Sequence, residues 1–313
     1  MKLAFVFPGQ GSQKVGMLDG FADNAVVTDV MRRADAALNE NLTGLIAHGP
    51  AQELNLTVNT QPAMLASSYA MYEAWLAAGG MKPVVMAGHS LGEYTALAAA
   101  GVFTLEDAVR LVRFRAQAMQ SAVPVGEGGM AAILGLSDEA VAEVCSLAGD
   151  GGRFVVEPVN FNCPGQVVVA GHLKGVERAC ALAQEKGAKR ALMLPVSGPF
   201  HSSLLAGAAR ELAAELARVE VGAPAIDVIA NVDVACHKDP ESIRDILARQ
   251  AASPVQWVKT IRKMADQGVT HIVECGPGRA LSGMIRRIAP EVKTFNISDA
   301  QSLDSVKQAL EAA

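Results

Sequence analysis

The sequence has 313 residues, half of them apolar, so it can bury a large core. The formal net charge of -5 leaves no basic excess to neutralise phosphates, which argues against general nucleic-acid binding. No apolar run reaches the length of a membrane-spanning helix. The five cysteines lie far apart without a C-x-x-C pair. This spacing is typical of buried thiols in a reducing cytoplasm rather than of disulfides or a metal site.

The first strand is predicted at the N-terminus, where the apolar run from Leu3 to Phe7 ends at Pro8. This run is too short for an export signal and lacks a cleavage pattern. Further strands are predicted near residues 83–87, 191–196, 226–230 and 270–274, with helical stretches between them. This alternation predicts an α/β fold with a mostly parallel sheet, in which ligand sites lie at the carboxyl ends of the strands.

Residues 128–196 follow a different order of elements. Strands are predicted at 130–135, 154–160, 166–170 and 190–195, and helices at 137–147 and 175–187. The order βαββαβ predicts a ferredoxin-like unit, and the stretch 124–129, rich in proline and glycine, suits a domain boundary. We therefore predict a large subdomain from residues 1–127 and 197–313, with a small subdomain, 128–196, inserted into it.

A serine stands at the apex of a predicted strand, turn and helix. The sequence Gly88-His89-Ser90-Leu91-Gly92 follows the apolar run 83–87 and precedes an alanine-rich stretch. Glycines at both ends of this G-x-S-x-G unit allow a sharp bend that exposes the hydroxyl. The helix start directs unpaired N–H groups toward an oxyanion beside the serine. The pattern predicts a nucleophile at Ser90, although a glycine-rich turn without chemistry has the same sequence.

A serine nucleophile needs a base, and six histidines are available. His201 follows the predicted strand 191–196 and precedes an apolar-striped helix, so we expect it near Ser90. A helix N-terminus disfavours imidazolium, which predicts a neutral His201, although a helix-capping histidine would look the same. His89 points away from its neighbour and is predicted to shape the pocket. The remaining histidines are predicted in the core or in distant turns: His48, His172, His237 and His271.

No Asp or Glu stands out as the third member of a catalytic triad. A substitute acceptor is available where the helix that starts at Asp239-Pro240 ends near Gln250. The last carbonyls of a helix lack intrahelical partners, so one of them can accept a hydrogen bond from an imidazole.

Arg115 lies within the apolar side of a helix predicted between Thr104 and Pro124. A guanidinium that faces the core needs an anionic partner or a route to water. The partner is either an internal carboxylate, as in structural ion pairs, or a substrate carboxylate held by two hydrogen bonds. The sequence pattern leaves both open.

Six segments together carry a family resemblance: Pro8-Gly9-Gln10-Gly11-Ser12-Gln13, Gly88-His89-Ser90-Leu91-Gly92, Arg115, Asn160-Phe161-Asn162, Phe200-His201 and Gly276-Pro277-Gly278. They resemble the malonyl-CoA:acyl carrier protein transacylases of bacterial fatty acid synthesis, over essentially the whole chain. In that family a large subdomain similar to α/β hydrolases carries a ferredoxin-like insert, in agreement with the strand order above.

The resemblance implies the catalytic roles. Ser90 is expected to be acylated, and His201 to act as its general base, oriented by the main-chain carbonyl of Gln250. The backbone N–H groups of Gln10 and Leu91 are expected to form the oxyanion hole.

The resemblance also implies the binding roles. Arg115 is expected to hold the free carboxylate of malonate, and Asn160 and Phe200 to line the pocket beside His89. Phe200 would crowd an α-methyl group, which favours malonyl over methylmalonyl. We expect malonyl-CoA and an acidic acyl carrier protein as partners of a cytoplasmic monomer, with no metal or redox cofactor. Four basic residues are candidates for a carrier-docking patch near the mouth of the cleft, although paired basic residues are usually just solvated surface, which is the interpretation we favour: Lys189, Arg190, Arg286 and Arg287.

Three alternatives stay open. An esterase shares the serine turn but would want an acidic residue between Ser90 and the last histidine, together with a water-accessible acyl pocket. A non-catalytic carrier-binding subunit predicts that Ser90 resists acylation. A phosphate-binding role for Gly276-Pro277-Gly278-Arg279 is the weakest, because the segment has neither a G-x-G-x-x-G nor a Walker pattern; we interpret it as a turn.

Overall fold

The computed structural model of the chain describes residues 1–196 and 198–312. Ser197 and Ala313, the two ends of the predicted segment 197–313, lie outside the described residues. The strands are β1 Leu3–Phe7, β2 Val85–Gly88, β3 Gly128–Leu134, β4 Val156–Cys163, β5 Gln166–His172, β6 Arg190–Met193, β7 Asp227–Ile229, β8 His271–Cys275 and β9 Lys293–Ile297. The helices are α1 Ala25–Leu38, α2 Leu42–His48, α3 Ala51–Leu54, α4 Thr57–Ala77, α5 Leu91–Ala99, α6 Leu105–Ser121, α7 Asp138–Ala148, α8 Leu173–Glu185, α9 Ala206–Leu216, α10 Pro240–Gln250, α11 Trp257–Asp266, α12 Ala280–Ile288 and α13 Ala300–Glu311.

Five strands form a parallel sheet in the order β7-β2-β1-β8-β9. Every residue of the central strand, from Leu3 to Phe7, is buried. Side chains alternate along a strand, so Phe5 and Phe7 enter one hydrophobic core while Ala4 and Val6 enter another. Both faces of the sheet are therefore covered, as expected for parallel strands with a continuous apolar sequence. The predicted α/β fold with a mostly parallel sheet is confirmed.

A second, separate sheet is antiparallel and has the order β4-β5-β3-β6. Its strands and the two helices α7 and α8 follow one another along the chain as βαββαβ. One core lies between these helices and the sheet, and it includes Ile133, Val144, Val169 and Val176. The small sheet thus buries its own apolar face apart from the two cores of the parallel sheet.

Two strand assignments differ from the structure. The stretch 191–196 does not join the parallel sheet, because β6 pairs with β3 at the edge of the antiparallel one. Its side chains are largely exposed, as an edge strand allows. The strand β9 was not predicted, because its sequence Lys-Thr-Phe-Asn-Ile mixes polar and apolar residues. It pairs with β8 at the edge of the parallel sheet, where only one side of the strand needs a partner.

The two sheets meet where β4 contacts the segment that follows α10. The N–H of Val255 donates to the carbonyl of Val159 at 2.8 Å, and the N–H of Phe161 donates to the carbonyl of Val255 at 3.0 Å. These two bonds form a parallel bridge that brings Asn160 beside the end of α10. Asn160 and Gln250 therefore approach the same region from different sheets.

Candidate active site

Ser90 occupies a strained turn between β2 and α5. Its backbone φ of 53° lies in the left-handed region, which costs a non-glycine residue about 1–3 kcal/mol. A Cβ added to Gly88 would lie 1.8 Å from the carbonyl carbon of Gly92, and one added to Gly92 would lie 2.1 Å from the carbonyl oxygen of Phe7. Both glycines are thus required by close backbone contacts, and together they hold the serine at the carboxyl end of β2.

The structure brings Ser90 and His201 together. The Oγ of Ser90 lies 2.7 Å from Nε2 of His201, and Nδ1 of the same ring lies 2.8 Å from the main-chain oxygen of Gln250. A carbonyl oxygen can only accept, so Nδ1 carries the proton and Nε2 presents its lone pair to the serine hydroxyl. The pair can therefore move a proton from Ser90 to His201 without an acidic third member.

The imidazole of His201 is held in its neutral form by its surroundings. The ring is buried, and burial together with the nearby cation of Arg115 lowers its pKa to about 3. The ring is neutral for a different reason from the helix N-terminus that the sequence indicates. A short 3-10 turn, Ser203–Leu205, separates His201 from the start of α9, and the preceding strand β6 belongs to the small sheet. Desolvation and Arg115 replace the helix dipole as the cause.

Arg115 is buried beside the serine, with 1% of its surface exposed. Its guanidinium donates to the side-chain oxygen of Gln61 at 2.7 Å, to that of Gln250 at 2.8 Å and to Oγ of Ser90 at 3.1 Å. It also lies over the ring of Tyr94, 5.2 Å from the centroid. No ion pair within residues 1–196 and 198–312 includes Arg115, although the nearby carboxyl of Glu93 attracts it.

A desolvated cation held by neutral oxygens is a receptor for an anion. Buried cations are costly without a partner, and amide oxygens compensate only part of that cost. The Nε of Arg115 is buried and makes no hydrogen bond in the described part of the chain. Arg115 forms no internal ion pair with the described residues, so the other alternative that the sequence left open, a substrate carboxylate, stays a prediction.

A cavity of about 120 Å³ lies above Ser90. Every predicted site residue except Gln250 lines it, and Gln250 is fully buried behind His201 and Arg115. The lining consists of Gln10, Gln61, His89, Ser90, Leu91, Arg115, Met119, Met130, Asn160, Leu194, Val196, Phe200 and His201. The lining thus combines polar and cationic side chains with methionine and aliphatic ones.

The backbone N–H groups of Gln10 and Leu91, at this cavity, have no acceptor within residues 1–196 and 198–312. Leu91 is the first residue of α5, and Gln10 follows β1 on the neighbouring strand. Neither N–H donates a hydrogen bond anywhere in the described ranges. The N–H of Ser90 is occupied, because it donates to Oδ1 of Asn231 at 2.7 Å. The N–H groups of Gln10 and Leu91 are those that the resemblance implied for the oxyanion hole, and that role stays a prediction.

The other histidines are engaged elsewhere. The Nε2 of His89 lies 2.8 Å from Oδ1 of Asn162, and its ring packs edge-on against Trp257. Burial lowers the pKa of His89, so it rests neutral. His271 is buried and stacks on Phe295. His89 therefore lines the pocket without contacting the serine hydroxyl, as predicted.

Three polar residues at the site were not predicted. Gln61 lies on α4, Asn231 follows β7, and Glu93 lies in the first turn of α5. All three are almost completely buried. Gln61 accepts from Arg115, Asn231 accepts from the N–H of Ser90, and Glu93 accepts from Gln250. Isolated amide side chains form no sequence pattern. Glu93 did offer a signal, because a glutamate three residues after a helix-capping serine is the spacing of a capping box.

The segment around Gly276-Pro277-Gly278 is a turn, as interpreted from the sequence. The carboxylate of Glu274 accepts from the N–H of Leu281 at 3.1 Å and from the N–H of Ser282 at 2.7 Å. Both N–H groups belong to the first turn of α12, where they have no intrahelical acceptor, so an acidic group already caps the helix start. The buried carboxylate contradicts the phosphate-binding alternative.

The four basic residues considered for carrier docking do not line the cavity. Lys189 and Arg287 line a separate surface pocket near the end of β3 that contains Leu134. Arg190 pairs with Leu134, whereas the cavity contacts the opposite end of β3 at Met130. The positions of Lys189, Arg190 and Arg287 agree with the interpretation that these are ordinary solvated surface residues.

Within the described ranges no cluster of three or more His, Cys, Asp or Glu side chains could hold a metal ion. None of the helices in the same ranges is long and apolar enough to span a membrane.

The chain is similar to known acyl transferases. Residues 4–309 match the family model described as "Acyl transferase domain". The malonyl CoA-acyl carrier protein transacylase of Escherichia coli (strain K12) is 51% identical over 311 residues, which are 99% of each chain. The crystal structure of an acyl-carrier-protein S-malonyltransferase from Burkholderia pseudomallei is 58% identical, with a TM-score of 0.97 over 98% of this chain and 100% of that one.

A second similar structure is a malonyl-transacylase in complex with a type II PKS acyl-carrier protein. It is 44% identical, with a TM-score of 0.97 over 99% of this chain and 100% of that one. The chain belongs to the acyl transferase family, and within it to the malonyl CoA-acyl carrier protein transacylases.

Proposed function

We propose that this chain transfers the malonyl group from malonyl-CoA to the phosphopantetheine thiol of acyl carrier protein, for fatty acid synthesis, through an ester on Ser90. One observation carries the proposal. The hydroxyl of Ser90 lies within hydrogen-bond distance of both a neutral imidazole and a buried guanidinium. A base and a receptor for a carboxylate thus both lie within the hydrogen-bonding range of one nucleophilic oxygen. This arrangement suits an acyl group that ends in a carboxylate.

In the first half of the proposed cycle, His201 accepts the hydroxyl proton while Ser90 Oγ attacks the thioester carbonyl. The carbonyl electron pair moves to oxygen, where the N–H groups of Gln10 and Leu91 stabilise it; each such donor contributes about 10²-fold or more in rate. The intermediate collapses, the C–S bond breaks, and His201 returns the proton to the CoA thiolate. A malonyl ester remains on Ser90.

The second half reverses these events with a different thiol. The pantetheine thiol of the carrier protein gives its proton to His201, and the sulfur attacks the ester carbonyl. The bond to Oγ then breaks, and Ser90 recovers its proton from His201. The cycle is ping-pong, and its steps need no metal ion or redox cofactor.

Selectivity for malonate is proposed to come from Arg115 and from the size of the cavity. Two hydrogen bonds from the guanidinium can hold the free carboxylate, and Phe200 narrows the space beside the acyl chain. Asn160 lines the same space and has a buried side-chain oxygen without a partner in the described ranges. Methylmalonyl has the same free carboxylate, so the proposed preference for malonyl over methylmalonyl depends on the bulk of Phe200 rather than on Arg115.

We also propose the finer division of the fold. The small subdomain would comprise residues 128–196 and be ferredoxin-like, and residues 1–127 and 197–313 would form an α/β-hydrolase-like subdomain. The strand order β4-β5-β3-β6 and the βαββαβ sequence of elements support the first part. The nucleophile turn at a strand end supports the second. A monomer in the cytoplasm with an acidic carrier protein completes the proposal, and the free thiols of all five cysteines are consistent with a reducing compartment.

The decisive test is intact-mass measurement after mixing the protein with malonyl-CoA, followed by peptide mapping. The expected result is one added malonyl group, located on Ser90 and removed by holo-acyl carrier protein. The Ser90→Ala variant is the control and should gain no mass. Rapid loss of the acyl group to water without a thiol acceptor would favour an esterase, and no mass gain in the wild type would favour a non-catalytic carrier-binding subunit.

A further inference from the structure

Glu93 is a buried carboxyl group that the proposed reaction does not use. It lies in the first turn of α5, three residues after the nucleophile, with 1% of its surface exposed. Its Oε2 accepts from the main-chain N–H of Asn231 at 3.0 Å and from the side-chain Nε2 of Gln250 at 2.7 Å. These partners come from the loop after β7 and from the end of α10, so Glu93 joins three separate elements.

Both partners of Glu93 also hold the backbone of the nucleophile turn. Oδ1 of Asn231 accepts from the N–H of Ser90 at 2.7 Å, and its Nδ2 donates to the carbonyl of Gly88 at 2.7 Å. Nε2 of Gln250 donates to the carbonyl of Ser90 at 3.0 Å. The N–H and the carbonyl of Ser90 are therefore each bound by the side-chain amide of a residue that Glu93 contacts, through the main-chain N–H of Asn231 and the side-chain Nε2 of Gln250.

The orientation of these amides is determined by their partners. Asn231 faces one backbone donor and one backbone acceptor, so only one orientation of its amide satisfies both. Gln250 must direct its oxygen to Arg115 and its nitrogen to Ser90. Its main-chain carbonyl also holds His201. Gln250 thus contacts all three groups of the site, and Glu93 fixes its side chain.

We propose that Glu93 is a positioning residue for acyl transfer, whose carboxyl group holds Asn231 and Gln250 so that the strained backbone of Ser90 keeps its Oγ aligned with His201. The inference rests on the proposed function. A non-glycine residue in a left-handed conformation persists only when its surroundings over-determine it. The two amides on either side of Ser90 supply that constraint, and Glu93 is the group they share.

The electrostatic setting of Glu93 agrees with this role. Burial raises its pKa to about 7, while the hydrogen bonds from Gln250 and Asn231 and the charge of Arg115 act in the opposite direction. Asp233, in the loop after β7, is the other charged group that faces it and raises the pKa further. An exposed glutamate would be a stronger acid, so a carboxyl group is retained here at an electrostatic cost that its hydrogen bonds offset only in part.

The test compares three variants of the full chain. In Glu93→Ala both acceptor bonds are lost, and kcat for malonyl transfer should fall by about 10²-fold, the usual effect of a misplaced reacting group. The KM for malonyl-CoA should change by less than about threefold, because Gln61 still holds Arg115. Glu93→Gln keeps an acceptor oxygen and should restore kcat to within about tenfold of the wild type. Glu274→Gln is the matched control, because Glu274 is another buried carboxyl that accepts helix N–H bonds but contacts none of these groups.

A second readout separates this inference from the proposed function. A fluorophosphonate reagent labels an activated serine without CoA or a carboxylate, so its rate reports the alignment of Ser90 and His201 alone. Labelling of Glu93→Ala should slow in parallel with kcat, while Glu274→Gln should be labelled at the wild-type rate. Labelling of Glu93→Ala at the wild-type rate, or equal slowing in Glu274→Gln, would overturn the inference. If Glu93→Ala does not fold, a Glu93→Gln variant whose kcat falls by more than about tenfold would also overturn it. A wild-type protein that is labelled but never malonylated would instead refute the proposed function.

Discussion

Two turns of the parallel sheet invite comparison, because they flank the same central strand. β2 leads into α5 through Gly88-His89-Ser90, and β8 leads into α12 through Gly276-Pro277-Gly278. Ala87 and Glu274 both pair with Val6 of β1, so they occupy matching positions in the sheet. On the β8 side the carboxylate caps the helix, whereas on the β2 side an alanine leaves the N–H of Leu91 without an acceptor among the described residues.

The difference shows what makes a helix start available for chemistry. Both turns contain glycines and both helices begin at the carboxyl end of a strand, so geometry alone does not distinguish them. A helix start stabilises a developing anion only when no side chain of the protein already accepts from its N–H groups. Glu93, the acidic residue in the first turn of α5, accepts instead from Asn231 and Gln250. It therefore does not occupy the N–H of Leu91.

The largest expected effect comes from removing the hydroxyl of the β2 turn, with a hydroxyl at the start of α12 as the comparison. Ser90→Ala should reduce malonyl transfer by about 10⁴-fold or more, because the nucleophile is lost. Ser282→Ala removes a hydroxyl that only supports the Glu274 cap, and it should transfer malonyl at the wild-type rate. Steady-state assays with holo-acyl carrier protein measure both. Comparable losses in the two variants would mean that the turns do not differ in function.

The next effect concerns the cation beside the β2 turn. Arg115→Ala should lower the selectivity for malonyl over acetyl transfer by on the order of 2 to 4 kcal/mol, because it removes a buried, charged hydrogen-bond donor. Competition between malonyl-CoA and acetyl-CoA measures this selectivity. Arg113→Ala is the control, since Arg113 lies on the same helix but bonds to Asn59 outside the cavity. An equal fall in malonyl and acetyl transfer would show that Arg115 is not the carboxylate receptor.

The smallest expected effect is a pH dependence of stability. Burial raises the pKa of Glu93 from 4.5 to about 7, so between these values the folded protein binds more protons than the unfolded chain. The free energy of unfolding of the wild type, relative to Glu93→Gln, should therefore fall as pH rises from 4.5 to 7, by on the order of 1–3 kcal/mol. Urea denaturation at several pH values measures it. A difference that stays constant with pH would mean that the carboxyl is not desolvated as described.

Much of this comparison could be predicted from the sequence, because it depends on local patterns. Short apolar runs before glycine turns predicted β1, β2 and β8, and a serine between glycines predicted the turn at the carboxyl end of β2 that holds Ser90. The end of α10 at Gln250 followed from the spacing of Asp239-Pro240 and the later proline. Each of these signals lies within a few residues of the feature it predicts.

The unpredicted features depend on contacts between distant segments. Asn231 meets Ser90 across 141 residues, and nothing near Asn231 marks it as different from an ordinary loop amide. The low pKa of His201 arises from burial and from Arg115, neither of which adjoins it in sequence. The strand β9 escaped because an edge strand needs only partial burial and so shows a weak apolar pattern.

The bridge between the sheets has a mechanical consequence. His201 is attached to the backbone at Gln250 and Ala251, through its ring and its N–H, and β4 of the small sheet is attached only a few residues later, at Val255. One short stretch of chain, residues 250–255, therefore carries both the acceptors that hold His201 and the bridge to the small sheet. The orientation of the imidazole and the attachment of the second sheet thus depend on the same backbone segment.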